Sequence, residues 1–172
     1  MRLPLRRADI AIGLLMLVSI SLLLTGCGFK LRGQADLPFE RIHVETDGFS
    51  LFAAELMRVL QSSNAVEVVD GAEEAQVVLK VLNEQREKRI LSLQSSGSVS
   101  EFLFVYRVSY RVMDSNRKDL VAPGEILLRR AMQYDDTAIL GKQSEEELLF
   151  RDMQSEAVQQ MLRRLSVVLA GS

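Results

Sequence analysis

Few side chains in this 172-residue chain are suited to covalent or acid–base chemistry; it has one cysteine, Cys27, and one histidine, His43. A thiol attacks as its thiolate, and histidine is the commonest general base. His43, however, sits in the alternating segment Arg41 to Glu45 and reads as a strand residue. Asp135-Asp136 and Glu145-Glu146-Glu147 could pair carboxylates for proton transfer. The first pair follows a strand pattern and the second opens a helical one, so both read as turn and cap residues. There is no GxSxG, no phosphate-cradling glycine loop and no zinc-ligand spacing. The expectation is a protein that is not an enzyme and uses neither metal nor cofactor.

Cys27 takes its meaning from what precedes it. Arg2, Arg6 and Arg7 form a positive start, and Ile10 to Leu24 is an apolar run broken only by Gly13, Ser19 and Ser21. A membrane span wants about 20 apolar residues, and this shorter run ends in small residues, as an export signal does. Leu24-Thr25-Gly26-Cys27 resembles the lipobox of bacterial lipoproteins, where the thiol is alkylated by diacylglycerol and cleavage occurs before the cysteine. Residues 1–26 are thus expected to be a cleaved signal peptide, with an uncleaved inner-membrane anchor as the alternative. A single acyl chain binds a bilayer at only about 10⁴ M⁻¹, whereas the several chains of a mature lipoprotein hold permanently. Gly28 stands where an aspartate commonly retains such proteins at the inner membrane. The resemblance therefore implies an outer-membrane address, membrane attachment through the N-terminal lipid, and a domain facing the periplasm.

Cleavage leaves 146 residues, of which 18 are Lys or Arg and 22 Asp or Glu, a balance of −4. That is the wrong sign for a general nucleic-acid binder, which needs a basic footprint. Residues 27–39, with Gly28, Gly33 and Pro38, read as a lipidated tether, and residues 40–170 as a single domain.

Along that domain, Arg41 to Glu45 predicts a strand and Leu51 to Ser62 a helix capped by Ser50 or Asp47. Val66 to Asp70 is short and β-rich, and a long strand runs from Val77 through the charged stretch Glu84 to Arg89. A turn around Gly97 leads to Phe102 to Met113. The even positions of that strand are all apolar or aromatic, while the odd ones grade from Leu103 and Val105 to Arg107 and Arg111. Glu125 to Tyr134 predicts a returning strand, and Ser144 with Glu147 a capping box opening the last helix. The pattern predicts an α+β fold, a two-layer sandwich with two helices on one face of a roughly four-stranded sheet. Helices cover one face only, yet Leu103, Val105, Val78 and Leu82 place apolar groups on the other. Three explanations stand open: a partner covers them, a strand shifts register, or the tether lies over them.

The segment Cys27 to Gly33, CGFKLRG, and the run QYDDTAILGKQSEEELLFRDM near the last helix resemble the lipopolysaccharide-assembly lipoprotein family (LptE). The element order extends that likeness over nearly all of residues 27–168. The resemblance implies two helices on a four-stranded sheet, a place as a plug inside the outer-membrane lipopolysaccharide translocon barrel (LptD), help in assembling that barrel, and lipopolysaccharide binding. It places a ligand-binding lysine at Lys142, in the loop before the last helix; from the residues alone Lys142 reads sooner as a solvated loop lysine. The family's other binding cation belongs near the hairpin tip, where this chain has Gln94-Ser95-Ser96-Gly97. Arg86, Lys88 and Arg89, earlier on the same arm, are the candidates to replace it. The alternative function is a free periplasmic lipid-binding or transport-auxiliary lipoprotein.

Overall fold

The computed structural model describes residues 37–63, 66–134 and 139–169. The leader, Leu24, Thr25, Gly26, Cys27 and the tether up to residue 36 lie outside the described residues, as do Asp135 and Asp136. Strand β1 (Arg41–Thr46) is followed by helix α1 (Leu51–Ser63), β2 (Glu67–Val68), β3 (Val77–Leu93), β4 (Val99–Met113), β5 (Asp119–Gln133) and helix α2 (Ile139–Leu169). The sheet order is β2-β1-β3-β4-β5. Strand β1 runs parallel to both β2 and β3, while β3, β4 and β5 form an antiparallel meander.

The α+β sandwich is as expected, with five strands in place of four because Glu67 and Val68 pair with Arg41 and Ile42. Strand β5 begins at Asp119 and not at Glu125. It passes through Pro123 beside an irregularity in its pairing with β4. Proline lacks a ladder donor and is tolerated in a sheet only at an edge or a bulge; β5 is an edge. Helix α2 begins at Ile139, so Ser144 lies inside it past the first turn. The Ser144–Glu147 capping box is therefore not the helix start, and Lys142 is a helical residue, not a loop residue. Phe39, the last residue of the expected tether, is 8% exposed and packs in the core.

The core lies between the sheet and the helices. Phe104, Tyr106, Val108, Tyr110 and Val112, the even positions of β4, are buried against Phe52, Leu56 and Leu60 of α1 and Met153, Ala157, Met161 and Leu165 of α2. The opposite face is treated differently along its length. Near β1 a smaller cluster of Val69, Ala75, Val78 and Met113 is closed by the β2–β3 connection. There His43 Nδ1 donates to the Val69 carbonyl at 2.9 Å, a structural role for the lone histidine. Beside it ion pairs line the face: Arg111–Asp119 at 2.8 Å, Lys80–Asp47 at 2.9 Å, Lys80–Glu45 at 3.3 Å, and the Arg107–Glu125 and Arg117–Glu45 pairs. Of the four apolar residues expected there, Val78 and Val105 are buried, Leu103 is half-buried and Leu82 is exposed.

Leu82 marks the feature that arranges the rest. Val81 pairs with Tyr110 and Asn83 with Ser109, so Leu82 is an extra residue with no partner in β4. Side chains alternate along a strand with period two, so one inserted residue exchanges the faces of everything beyond it. Before the bulge, Val77, Leu79 and Val81 face the core; after it, Glu84, Arg86 and Lys88 do. The bulge thus sets which β3 side chains face the helices, while Val78, Leu103 and Val105 stay on the outer face, where the β2–β3 connection covers Val78.

Glu84 caps α1 from the sheet. Its Oε2 accepts from the Ser50 hydroxyl at 2.7 Å and from the Phe52 amide at 3.1 Å, and its Oε1 accepts from the Tyr106 hydroxyl at 2.6 Å. Ser50 Oγ in turn accepts from the Ala53 amide at 3.0 Å, as an N-cap should. A carboxylate at a helix N-terminus also meets the positive end of the dipole. Burial and the neighbouring Glu84 push the Tyr106 phenol well above its usual range.

Two predictions follow from these contacts. Glu84→Ala leaves the Tyr106 hydroxyl and an α1 amide without an acceptor and is expected to cost about 2–4 kcal/mol, against about 1 kcal/mol for Tyr106→Phe, both read from urea denaturation. Burial pushes the Glu45 carboxyl up, but hydrogen bonds from Lys80 and Arg117 outweigh it and hold it below its usual 4.5. A depressed carboxylate contributes stability above its unfolded-state value and loses it as pH falls through the folded-state value. Glu45→Gln is therefore expected to lower the unfolding midpoint at neutral pH and to leave it unchanged in strong acid.

Candidate functional site

Beyond the bulge β3, β4 and β5 stay paired as far as Ser92, Glu101 and Gln133, and the helix-facing side of this outer part, the arm, is a ladder of cations over aromatics. Arg86 lies 5.6 Å from the ring centres of both Tyr106 and Phe150. The Lys88 ammonium is 4.3 Å from the Phe102 ring centre and 5.7 Å from that of Phe104. Such stacking is worth roughly 0.5–2 kcal/mol per contact, more when water is excluded. It fixes both cations on the arm, because rigid rings on the neighbouring strand support them.

Above these cations the N-terminal parts of α1 and α2 diverge, leaving a groove of about 1110 Å³ that Arg86, Lys88, Arg58 and Arg151 line together with Glu55, Glu146 and Glu147. Its floor is a connected polar network. Gln154, 8% exposed, accepts from Arg86 Nη2 at 2.5 Å and donates to Glu55 Oε2 at 2.5 Å and to the Leu51 carbonyl at 3.3 Å. Ser155 donates to Glu55 Oε1 at 2.7 Å. Among the described residues no buried side-chain nitrogen or oxygen is left without a partner, which is what makes so polar a floor tolerable.

The candidate cations divide by face. Arg86 and Lys88 point into the groove; Arg89, one residue on, points to the opposite side of the sheet, where it pairs with Glu87. Lys142 is not among the residues that line the groove. Its Nζ is 2.7 Å from Glu145, the neighbour of Glu146, to which Lys88 donates at 2.6 Å. Ser95 and Ser96 are exposed at the hairpin turn, where Gly97 takes φ +87°. Beside that turn Ile90, Leu91 and Leu93 are 59%, 48% and 58% exposed, an apolar tip on the arm.

Sequence reasoning missed Glu84, Glu55, Gln154 and Glu146 as partners of these cations. From Asn83 to Arg89 every residue is polar, so no alternation reports which side faces the helices; only the unpaired Leu82 decides it. The arrangement suits holding an anion against an apolar arm, with charge-assisted hydrogen bonds from Lys88 and Arg86.

Comparison with known proteins gives this geometry its relatives. The model of the family LptE, lipopolysaccharide-assembly, matches residues 39–165. An LPS-assembly lipoprotein LptE from Yersinia enterocolitica is 26% identical over 161 residues, covering 91% of this chain and 77% of that protein. The solution structure of an uncharacterized lipoprotein B from Nitrosomonas europaea superposes with a TM-score of 0.74 at 42% identity, covering 83% of this chain and 93% of that one. The rare lipoprotein B of Shewanella oneidensis gives a TM-score of 0.68 at 25% identity, over 77% of this chain and 98% of that one. The match spans both helices, β1 to β5 and the groove between them, and this chain belongs to the LptE lipopolysaccharide-assembly family.

Proposed function

We propose that this chain acts in lipopolysaccharide assembly as an outer-membrane lipoprotein, anchored through Cys27 and facing the periplasm, that plugs the LptD translocon barrel and meets lipopolysaccharide directly. Family membership over residues 39–165 is the observation that carries the role in lipopolysaccharide assembly. The plug role draws support from a surface that offers contacts on several sides: the ion-paired outer sheet face, the apolar tip at Ile90, Leu91 and Leu93, and Phe49, 88% exposed before α1. A partner enclosing the domain would use all of them, whereas a single docking patch would use one. The role is non-catalytic.

For the ligand, lipopolysaccharide presents clustered phosphates above acyl chains. Arg86 and Lys88 supply cations in the groove and the arm carrying them ends in apolar residues; Lys142, paired with Glu145 on α2, is the further cation that the family likeness suggests. Arg89, on the opposite face, is left out of the proposed site.

Affinity purification of the full chain from its own outer membranes in mild detergent is expected to recover a large β-barrel partner. A lone monomer carrying lipid would instead establish a free lipid-binding lipoprotein. Lys142→Glu is expected to weaken lipopolysaccharide binding about tenfold, the size of one charge-assisted contact, with barrel recovery unchanged. Unaltered binding would remove Lys142 from the site.

A further inference from the structure

The groove's best-placed cation already has a carboxylate partner within the chain. Lys88 donates to Glu146 at 2.6 Å, and the two side chains are only 33% and 27% exposed. That shielding sets the pair apart from open surface pairs, whose worth is close to zero. Glu146 also lies on a part of α2 that is weakly held: between Gly141 and Leu148 no side chain is buried, and the helix's buried stripe starts at Phe150. Segments with few buried contacts open at low cost. Lys88, by contrast, is supported on Phe102 and Phe104 whether or not Glu146 is present. The fixed partner is the cation and the removable partner is the carboxylate.

We propose that Glu146 is an internal stand-in for the ligand's anion: a phosphate of lipopolysaccharide takes its place on Lys88, and the first turns of α2 are released from the arm when it does. The inference rests on the lipopolysaccharide-binding reading above and deepens it, because it specifies what the ligand must displace. A phosphate is suited to win, since it offers more acceptor oxygens and more charge than one carboxylate. The exchange also sets specificity, because an uncharged amphiphile gains nothing at Lys88 with which to repay the broken pair. Glu147, which lines the same groove and has no ion-pair partner among the described residues, adds negative charge nearby without touching Lys88.

The test uses the full chain in mild detergent, titrated with lipopolysaccharide and with the same lipopolysaccharide after removal of its phosphates; thermal unfolding of each variant verifies folding. Glu146→Gln is expected to bind phosphorylated lipopolysaccharide roughly tenfold more tightly than the unaltered protein, as one charge-assisted bond is no longer broken. Glu74→Gln, exposed on the β2–β3 connection outside the groove and with the same change in net charge, is expected to stay within about twofold, the effect of a screened surface charge. The gain is expected to vanish when Lys88→Met is added and when the phosphates are removed, and inorganic phosphate is expected to compete it away. Equal gains in Glu146→Gln and Glu74→Gln, or a gain that survives phosphate removal, would overturn the exchange. So would wild-type affinity in Glu146→Gln, while leaving lipopolysaccharide binding itself intact. Failure of every form to bind lipopolysaccharide would sink both the exchange and the binding reading.

Discussion

One extra residue in β3 governs this molecule. The two-residue alternation of a strand admits no intermediate: either Leu82 is accommodated out of register or the whole outer half of β3 keeps the parity of its inner half. With Leu82 unpaired, the inner half sends Val77, Leu79 and Val81 into the core. The outer half then sends Glu84, Arg86 and Lys88 to the same side. A hydrophobic strand thereby becomes a charged one without changing the layer it faces. From that point β3 contributes charges to the groove, while β4 carries the core onward through Val108, Tyr106 and Phe104.

Turning charges toward two helices would be costly if they were left unpaired. Each instead completes something the helices lack. Glu84 supplies an acceptor for the α1 N-terminus and for the buried Tyr106 hydroxyl. Arg86 is held by Gln154, which also ties α2 to the Leu51 carbonyl and to Glu55 of α1. The polar floor is therefore also the joint between the helices at the end where their apolar packing thins out. Farther along α2, Arg164 performs a similar linking task, donating to the Tyr110 hydroxyl at 2.8 Å and to the Glu125 carbonyl at 2.7 Å. Tyr110 has room for this because its cross-strand neighbour is Gly124; a Cβ there would come within 2.6 Å of the tyrosine oxygen.

This division of labour suits a protein of the LptE family. A well-packed half, built on Ile42, Phe52, Tyr106 and Met161, gives the domain its rigidity. The outer part of β3 and β4 carries cations on its helix-facing side over Phe102, Phe104 and Tyr106, and exposed apolar residues at its tip. The proposed ligand, with phosphates beside hydrocarbon, would meet both chemistries there. The ion-paired outer face is of a different character, polar but nearly self-neutralised, and so fit to lie against another protein without burying an unpaired charge.

Much of this was legible in the residues alone. The alternation of β4, the helical spacing of Leu56 and Leu60 and the stripe from Met153 to Leu165 determine an α+β sandwich, because burial of periodic apolar faces leaves few other arrangements. Ser50 was recognisable as a cap for the same local reason. The Leu24 to Cys27 motif and its leader lie outside the described residues and rest on local sequence alone. What depended on long-range pairing was not legible. The short β2 exists because β1 offers it a partner. The true start of α2 at Ile139 overrode a capping box that was locally plausible at Ser144. Above all, the separation of Arg86 and Lys88 from Arg89 needed the register between β3 and β4. A run of seven polar residues from Asn83 to Arg89 carries no periodic signal, and only hydrogen bonding to a neighbouring strand settles which of them look inward.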